Sequence, residues 1–274
     1  MSPLLSLLLW PFLATVLVVV SHTYLGLHVV EREVIFVDLS LAQLAALGTA
    51  VASVLGYEHN TFSYFFALAF AVAGAAVFAL TRSDSRRIPH EAIIGIVYAV
   101  SAAAAVLVLN SSPHGAEDIK DILVGNLLAV SPQDVARVAV LYAGVAVVHW
   151  IFRRQFLLIS EHPAEAARRG MHVKLWDFLF YVIFGVVVTN SVGIVGVLLV
   201  FSYLIVPAVS AKLVADKVGA RLLFAWIMGI AASVTGLWLS ATKDVPPGAT
   251  IVVVLGLMLL LVALVAPRRR AAAR

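Results

Sequence analysis

Apolar residues run in long blocks along this chain, and polar residues collect in the short stretches between them. A helix needs about 20 mostly apolar residues to cross a bilayer. Nine stretches meet that requirement within loose bounds: 5–27, 36–55, 61–80, 91–109, 135–151, 175–188, 192–211, 222–239 and 249–265. Only Thr189, Asn190, Ser191 and Gly193 part the short sixth stretch from the seventh, so eight spans is the alternative count. Backbone groups in lipid must be satisfied internally, which leaves helices or closed barrels. The Val/Leu/Ala runs are too apolar for barrel strands. The pattern predicts an all-α polytopic membrane protein of about nine transmembrane helices (eight possible), with residues 1–274 forming one transmembrane domain.

Composition strengthens this reading. Hydrophobic residues make up 62% of the 274 and charged residues 12%, with a mean hydropathy of +1.04. A soluble domain is about half apolar and about a quarter charged. A cytosolic enzyme, a nucleic-acid-binding domain and a disordered tail are excluded. The chain has no cysteine, so it offers no disulfide framework, thiolate metal site or cysteine nucleophile. The first apolar block has no preceding basic residue and no small-residue cleavage site, and reads as the first span rather than a signal peptide.

The pI near 9.5 is a topology signal. With nine spans, one side collects 16 of the 19 Lys and Arg: Arg32; Arg82, Arg86 and Arg87; Arg153, Arg154, Arg168, Arg169 and Lys174; Lys212, Lys217 and Arg221; and the tail arginines. Only Lys120, Arg137 and Lys243 fall opposite. Cytoplasmic loops carry the Lys/Arg excess, which puts the N-terminus outside and the C-terminus in the cytoplasm of a cell-membrane protein. The outer loops hold Glu58, Glu117, Asp118, Asp121, Asp134 and Asp244. That mildly acidic face suits a cation or a basic docking partner, or is ordinary solvated loop.

Two loops exceed simple turns. The outer one contains an amphipathic piece at 118–128. In the inner one, Ser160 or Glu161 can cap a helix, Pro163 suits its first turn, 164–169 favour helix, and Gly170 stops it. A short cytoplasmic surface helix, or a plain connector, is expected there.

No G-x-x-x-x-G-K-[ST] phosphate loop, H-E-x-x-H or aspartate cluster occurs. Of eight histidines only His149, and at the margin His22, lies well inside a span, too few for bis-histidine haem ligation. Ionisable residues near spans are candidates for function. Glu91 and Asp177 begin spans, where the helix dipole alone accounts for a carboxylate. Asp38 begins the second span, followed by Ser40 and Gln43. Asp38 and Gln43 sit about 140° apart on a helix. Asp38 reads equally as a helix cap and as a path residue.

Five segments together resemble the permease subunit of metal-ion ABC importers, the ABC-3 family that moves zinc, manganese or iron. Residues 191–211, S-V-G-I-V-G-V-L-L-V-F-S-Y-L-I-V-P-A-V-S-A, are similar to its V-G-x-L-L-V-x-x-L-L-I-x-P-A-x-x-A segment. D-V-P-P-G-A-T-I-V-V-V from Asp244 resembles its last-span entry, E-A-I-I-G-I-V from Glu91 its fourth-span start, and V-G-N-L-L-A-V-S from Val124 its outer loop. His162 to Gly170 resembles its coupling helix D-P-E-x-A-x-x-x-G, with Pro163, Ala166 and Gly170 matching and Glu161 and Glu165 flanking the replaced acidic positions.

The resemblance implies a type II ABC importer-like permease, with a coupling helix at 160–171 whose Glu161, Pro163, Glu165, Ala166 and Gly170 meet the ATPase. It implies a permease homodimer, two separate ATPase subunits that bind ATP, and an extracytoplasmic metal-binding protein. The divalent metal is the transported substrate, and no catalytic residue or cofactor belongs to this chain. The family's second span carries G-D-x-x-x-H. Aligned through Gly48, the histidine position falls on Gln43 and the aspartate position on Leu39, with Asp38 one residue early. The resemblance therefore carries Asp38, Ser40 and Gln43 over as path lining, with Asp38 as the candidate metal ligand. The alternatives are a permease for a metal chelate or other small substrate, a secondary transporter, and a non-ABC membrane anchor or electron-transfer subunit.

Overall fold

The apolar blocks become helices that pack side by side. The computed structural model describes residues 3–57, 61–82, 88–110 and 123–266. Its helices are α1 (Pro3–Glu31), α2 (Val37–Val54), α3 (Thr61–Thr81), α4 (His90–Leu109), α5 (Pro132–Ile151), α6 (Arg153–Glu161), α7 (Pro163–Arg168), α8 (Val173–Val214), α9 (Val218–Lys243) and α10 (Pro247–Val265). Of the amphipathic piece expected at 118–128, residues 118–122 lie outside the described residues. The remainder enters a short 3-10 turn at Leu127–Ala129. Ser131 then starts α5 through a capping box with Asp134, Pro132 occupying the first turn.

α8 resolves the count of spans. It runs over 42 residues, with one non-helical position at Gly196 (φ 79°, ψ 160°). A straight helix of that length would be about 63 Å long, twice the bilayer core. Its two ends instead return to one place: Asp177 pairs with Arg32 and Lys212 with Glu31, adjacent residues at the end of α1. The chain therefore reverses at Gly196. Val173–Val195 and Val197–Val214 are separate antiparallel spans, and nine candidate spans are present among the described residues.

The reversal gathers described basic residues at one end of the bundle, the basic end, where Arg32 and Arg82 meet Asp177 and Lys212 and Arg221 meet Glu31. α8 is the central element, packing on α1, α2, α3, α9 and α10, with Phe180, Tyr181, Phe184 and Tyr203 fully buried. Close approach is set by small residues, as membrane helix packing requires. A Cβ on Gly26 of α1 would lie 2.0 Å from the Leu204 carbonyl oxygen. Interhelical hydroxyl pairs, Tyr203 with Ser233 and Tyr142 with Ser191, satisfy polar groups inside the bundle. Outward faces are apolar: Leu107, Val140 and Leu264 are about three-quarters or more exposed. That inverted pattern fits a lipid surround.

Candidate functional site

α2 is the most enclosed of the spans that carry a carboxylate, and Asp38 lies in its first turn. Its residue is 1% exposed, and neither carboxylate oxygen has a hydrogen-bond partner. A buried ionised group with no partner is costly, so such groups neutralise or find a counter-ion. Ser40 donates to the Ile94 carbonyl at 2.6 Å and ties α2 to α4. Gln43 is buried one turn further along α2. The three share an enclosed helix, although Asp38 and Gln43 do not share a narrow face.

Glu91 adds to this end of α2. Its Oε1 accepts from the Phe36 N–H at 2.8 Å, two residues before Asp38, while its Oε2 is buried without a partner. Two carboxylates with free oxygens thus stand at the starts of α2 and α4. For Glu91 the dipole explanation omitted this bond to the neighbouring helix, which sequence spacing does not reveal. Among the described residues no group of three or more His, Cys, Asp or Glu side chains is placed to hold a metal ion. Carboxylate and amide oxygens suit harder ions such as Mn²⁺, bound weakly.

The inner-loop helix forms as α7, where Pro163 opens the first turn. Gly170 closes it at φ 77°, with its N–H on the Ala167 carbonyl and the Met171 N–H on the Ala166 carbonyl. Glu161, Pro163 and Gly170 are exposed and Glu165 is partly so, in an i,i+4 ion pair with Arg169. Ala166 alone faces inward, fully buried. The capping expectation is corrected. His162 occupies the N-cap position without a side-chain bond, and both Ser160 and Glu161 belong to α6. Ser160 turns into the bundle because Phe156, Ile159 and Ser160 share the buried face of that helix.

What Ser160 meets was not foreseen from the sequence. Arg32 donates Nε–H to its hydroxyl at 2.8 Å and Nη1–H to Asp177 at 2.5 Å. Arg82 binds the other Asp177 oxygen. Asp177 is fully buried and the Arg32 side chain 1% exposed. Burial pushes the Arg32 guanidinium down from its usual range, and the Asp177 carboxylate opposes that shift. A helix dipole at α8 is therefore not the main partner of Asp177. His28 Nδ1 lies 2.9 Å from the Ser160 hydroxyl. His149, 6.3 Å from His28 between ring centroids, stacks on Phe156 at 4.5 Å. The one sequence signal was the adjacent opposite charges Glu31 and Arg32 at a span end.

The chain is 25% identical over 245 residues to the manganese transport system membrane protein MntC of Listeria monocytogenes, covering 89% of this chain and 85% of that one. It is 26% identical over 212 residues to a Haemophilus influenzae protein described as a probable iron transport system membrane protein, covering 75% of each. The solved structure of PsaBC from Streptococcus pneumoniae in complex with Fab matches its fold with a TM-score of 0.81 at 24% identity, over 97% of this chain and 94% of that one. The model of the ABC 3 transport family matches residues 5–266, and the chain belongs to that family.

Proposed function

We propose that this chain is the permease subunit of an ATP-driven importer that carries a divalent metal ion, with manganese the best-fitting cargo. The carrying observation is Asp38, a buried carboxylate with both oxygens unpartnered at the entry of an enclosed span. The names of its relatives, which specify manganese and iron, support the choice of cargo. Gln43 supplies an amide where the family keeps histidine, and oxygen-only ligation favours manganese over zinc. A path has to release what it takes up, so weak, incomplete coordination is appropriate.

In this reading the permease works as a pair of copies, and the ion reaches Asp38, enclosed within its own copy, when the helices around α2 part. Two ATPase subunits bind ATP and dock on α7 from the cytoplasm, and an extracytoplasmic metal-binding protein delivers the ion. The concentration of Lys and Arg at one end supports a cytoplasmic basic end, an outside N-terminus and an inside C-terminus. On α7, Pro163, Glu165 and the exposed Glu161 and Gly170 form the ATPase contact, and Ala166 anchors the helix to the bundle. Ser40 serves the path indirectly by holding α2 on α4.

Metal competition tests the assignment. Manganese uptake by cells carrying the importer is measured with and without excess zinc. Asp38→Asn is expected to cut uptake about tenfold or more at normal membrane abundance, and Gln43→His to make zinc the stronger competitor. Unchanged uptake in Asp38→Asn removes this carboxylate from the path.

A further inference from the structure

The hydroxyl of Ser160 lies in the last turn of α6, two residues before His162 at the N-cap position of the coupling helix. It is 4% exposed, and Arg32 and His28 hold it from α1 at 2.8 and 2.9 Å. The Arg32 guanidinium also reaches Asp177 on α8 and lies 4.0 Å from the centre of the Phe180 ring. Arg82, just beyond α3, shares Asp177. A single planar fork thus joins α6 to α1 and α8, with α3 tied in through the same carboxylate.

Stability alone is a poor explanation for this arrangement. Two cations on one buried carboxylate leave excess charge, and the Arg32 Nη2 is buried without a partner. Well-packed apolar residues commonly replace buried ion pairs at no loss of stability. A guanidinium is suited to hold two acceptors in fixed geometry.

The fork also leads to Asp38. After Arg32, Glu33 takes a left-handed conformation at φ 56°. The Val34 N–H bonds the Val29 carbonyl and the Val37 N–H bonds the Val34 carbonyl, each at 3.2 Å. The Phe36 N–H is held by Glu91. The turn from Arg32 into α2 is therefore short and held by backbone bonds at Val34, Phe36 and Val37, a direct route by which Arg32 could act on the first turn of α2.

We infer that Arg32 and Ser160 are positioning residues that transmit movement of the coupling helix, through the Asp177-anchored fork and the following turn, to Asp38 at the mouth of α2. The inference rests on the permease reading.

The test uses the complete complex of permease, ATPase and binding protein in proteoliposomes, with manganese uptake and ATP hydrolysis measured on one preparation. Arg32→Lys keeps a cation for Asp177 but loses the planar fork whose separate Nε and Nη1 donors hold Ser160 and Asp177 together, and Ser160→Ala removes only the hydroxyl. Each variant is expected to hydrolyse ATP while manganese moved per ATP falls about fivefold or more. The double variant is expected to lose no more than the worse single one. Because the chain has no cysteine, spin labels at Ile35→Cys and Ala167→Cys, both exposed, give a second readout that needs no transport. The distance between them stays narrow in the wild-type background with or without ATP, and broadens with Ser160→Ala. Wild-type uptake per ATP in both variants, or an equally narrow distance in Ser160→Ala, overturns the inference alone. A wild-type complex that moves no manganese overturns the permease reading with it.

Discussion

Gly125 and Gly196 meet backbone to backbone at the end of the bundle opposite the basic loops. A Cβ on Gly125 would lie 2.4 Å from the Gly196 nitrogen, and one on Gly196 would lie 2.5 Å from the Gly125 nitrogen. Both have positive φ, 69° and 79°. The contact locks the loop before α5 onto the point where α8 reverses. Backbone of the Gly196 type is essentially reserved for glycine and strains other residues by about 1–3 kcal/mol. Gly196→Ala is expected to lose at least that much, with overpacking added, and to lower the unfolding temperature in detergent. An unchanged midpoint would mean that the reversal does not depend on this contact.

The same reversal makes a labelling prediction. Single cysteines in this cysteine-free chain, at the exposed Lys174, Lys217 and Asp244, should react with a membrane-impermeant thiol reagent in two groups. Lys174→Cys and Lys217→Cys should label from the same face, the cytoplasmic one, and Asp244→Cys from the other. A continuous α8 would separate Lys174→Cys from Lys217→Cys.

Asp177→Ala should be among the most damaging single changes outside the path. It strands the Arg32 guanidinium, whose side chain is 1% exposed. Removing one partner of a buried pair costs about 3–5 kcal/mol. Arg82 is partly exposed and contributes less of that. Denaturation of the detergent-solubilised protein measures the loss, and a change within the range of a surface substitution would show that the cluster is solvated.

Ala166 and Glu165 are neighbours on α7 with different expectations. Ala166→Arg puts a charge where no surface is exposed, so it should displace α7 and, if α7 meets the ATPase as proposed, abolish metal-stimulated ATP hydrolysis while the chain still inserts. Glu165→Gln breaks only a surface pair with Arg169, worth about 0.3–0.5 kcal/mol, and should leave stability unchanged. Metal-stimulated hydrolysis at wild-type level in Ala166→Arg would remove α7 from the coupling contact.

Much of this architecture is legible in the sequence because lipid imposes simple rules. Length and apolarity locate the spans, Lys and Arg group the loops, and Pro163 and Gly170 bracket α7. The reversal at Gly196 is less legible, since the residues around it are apolar and helix-compatible and only a tertiary contact demands the glycine. The fork of Arg32, Ser160 and Asp177 is hidden for a related reason. Its members lie 128 and 145 residues apart, and periodicity within one helix says nothing about partners on another. Asp38 stands between these cases. The sequence marks the residue, but its enclosure and its unpartnered oxygens come from how α2 is surrounded.

The central claim, that this chain forms an ATP-driven path for a divalent metal in which Asp38 takes part, is tested most directly by manganese accumulation in proteoliposomes. The complete complex is reconstituted with the ATPase enclosed and the metal-loaded binding protein outside. Accumulation should require ATP inside the vesicles, and Asp38→Asn should reduce it about tenfold or more in complexes of wild-type composition. Accumulation independent of ATP, or undiminished in Asp38→Asn, would contradict the account.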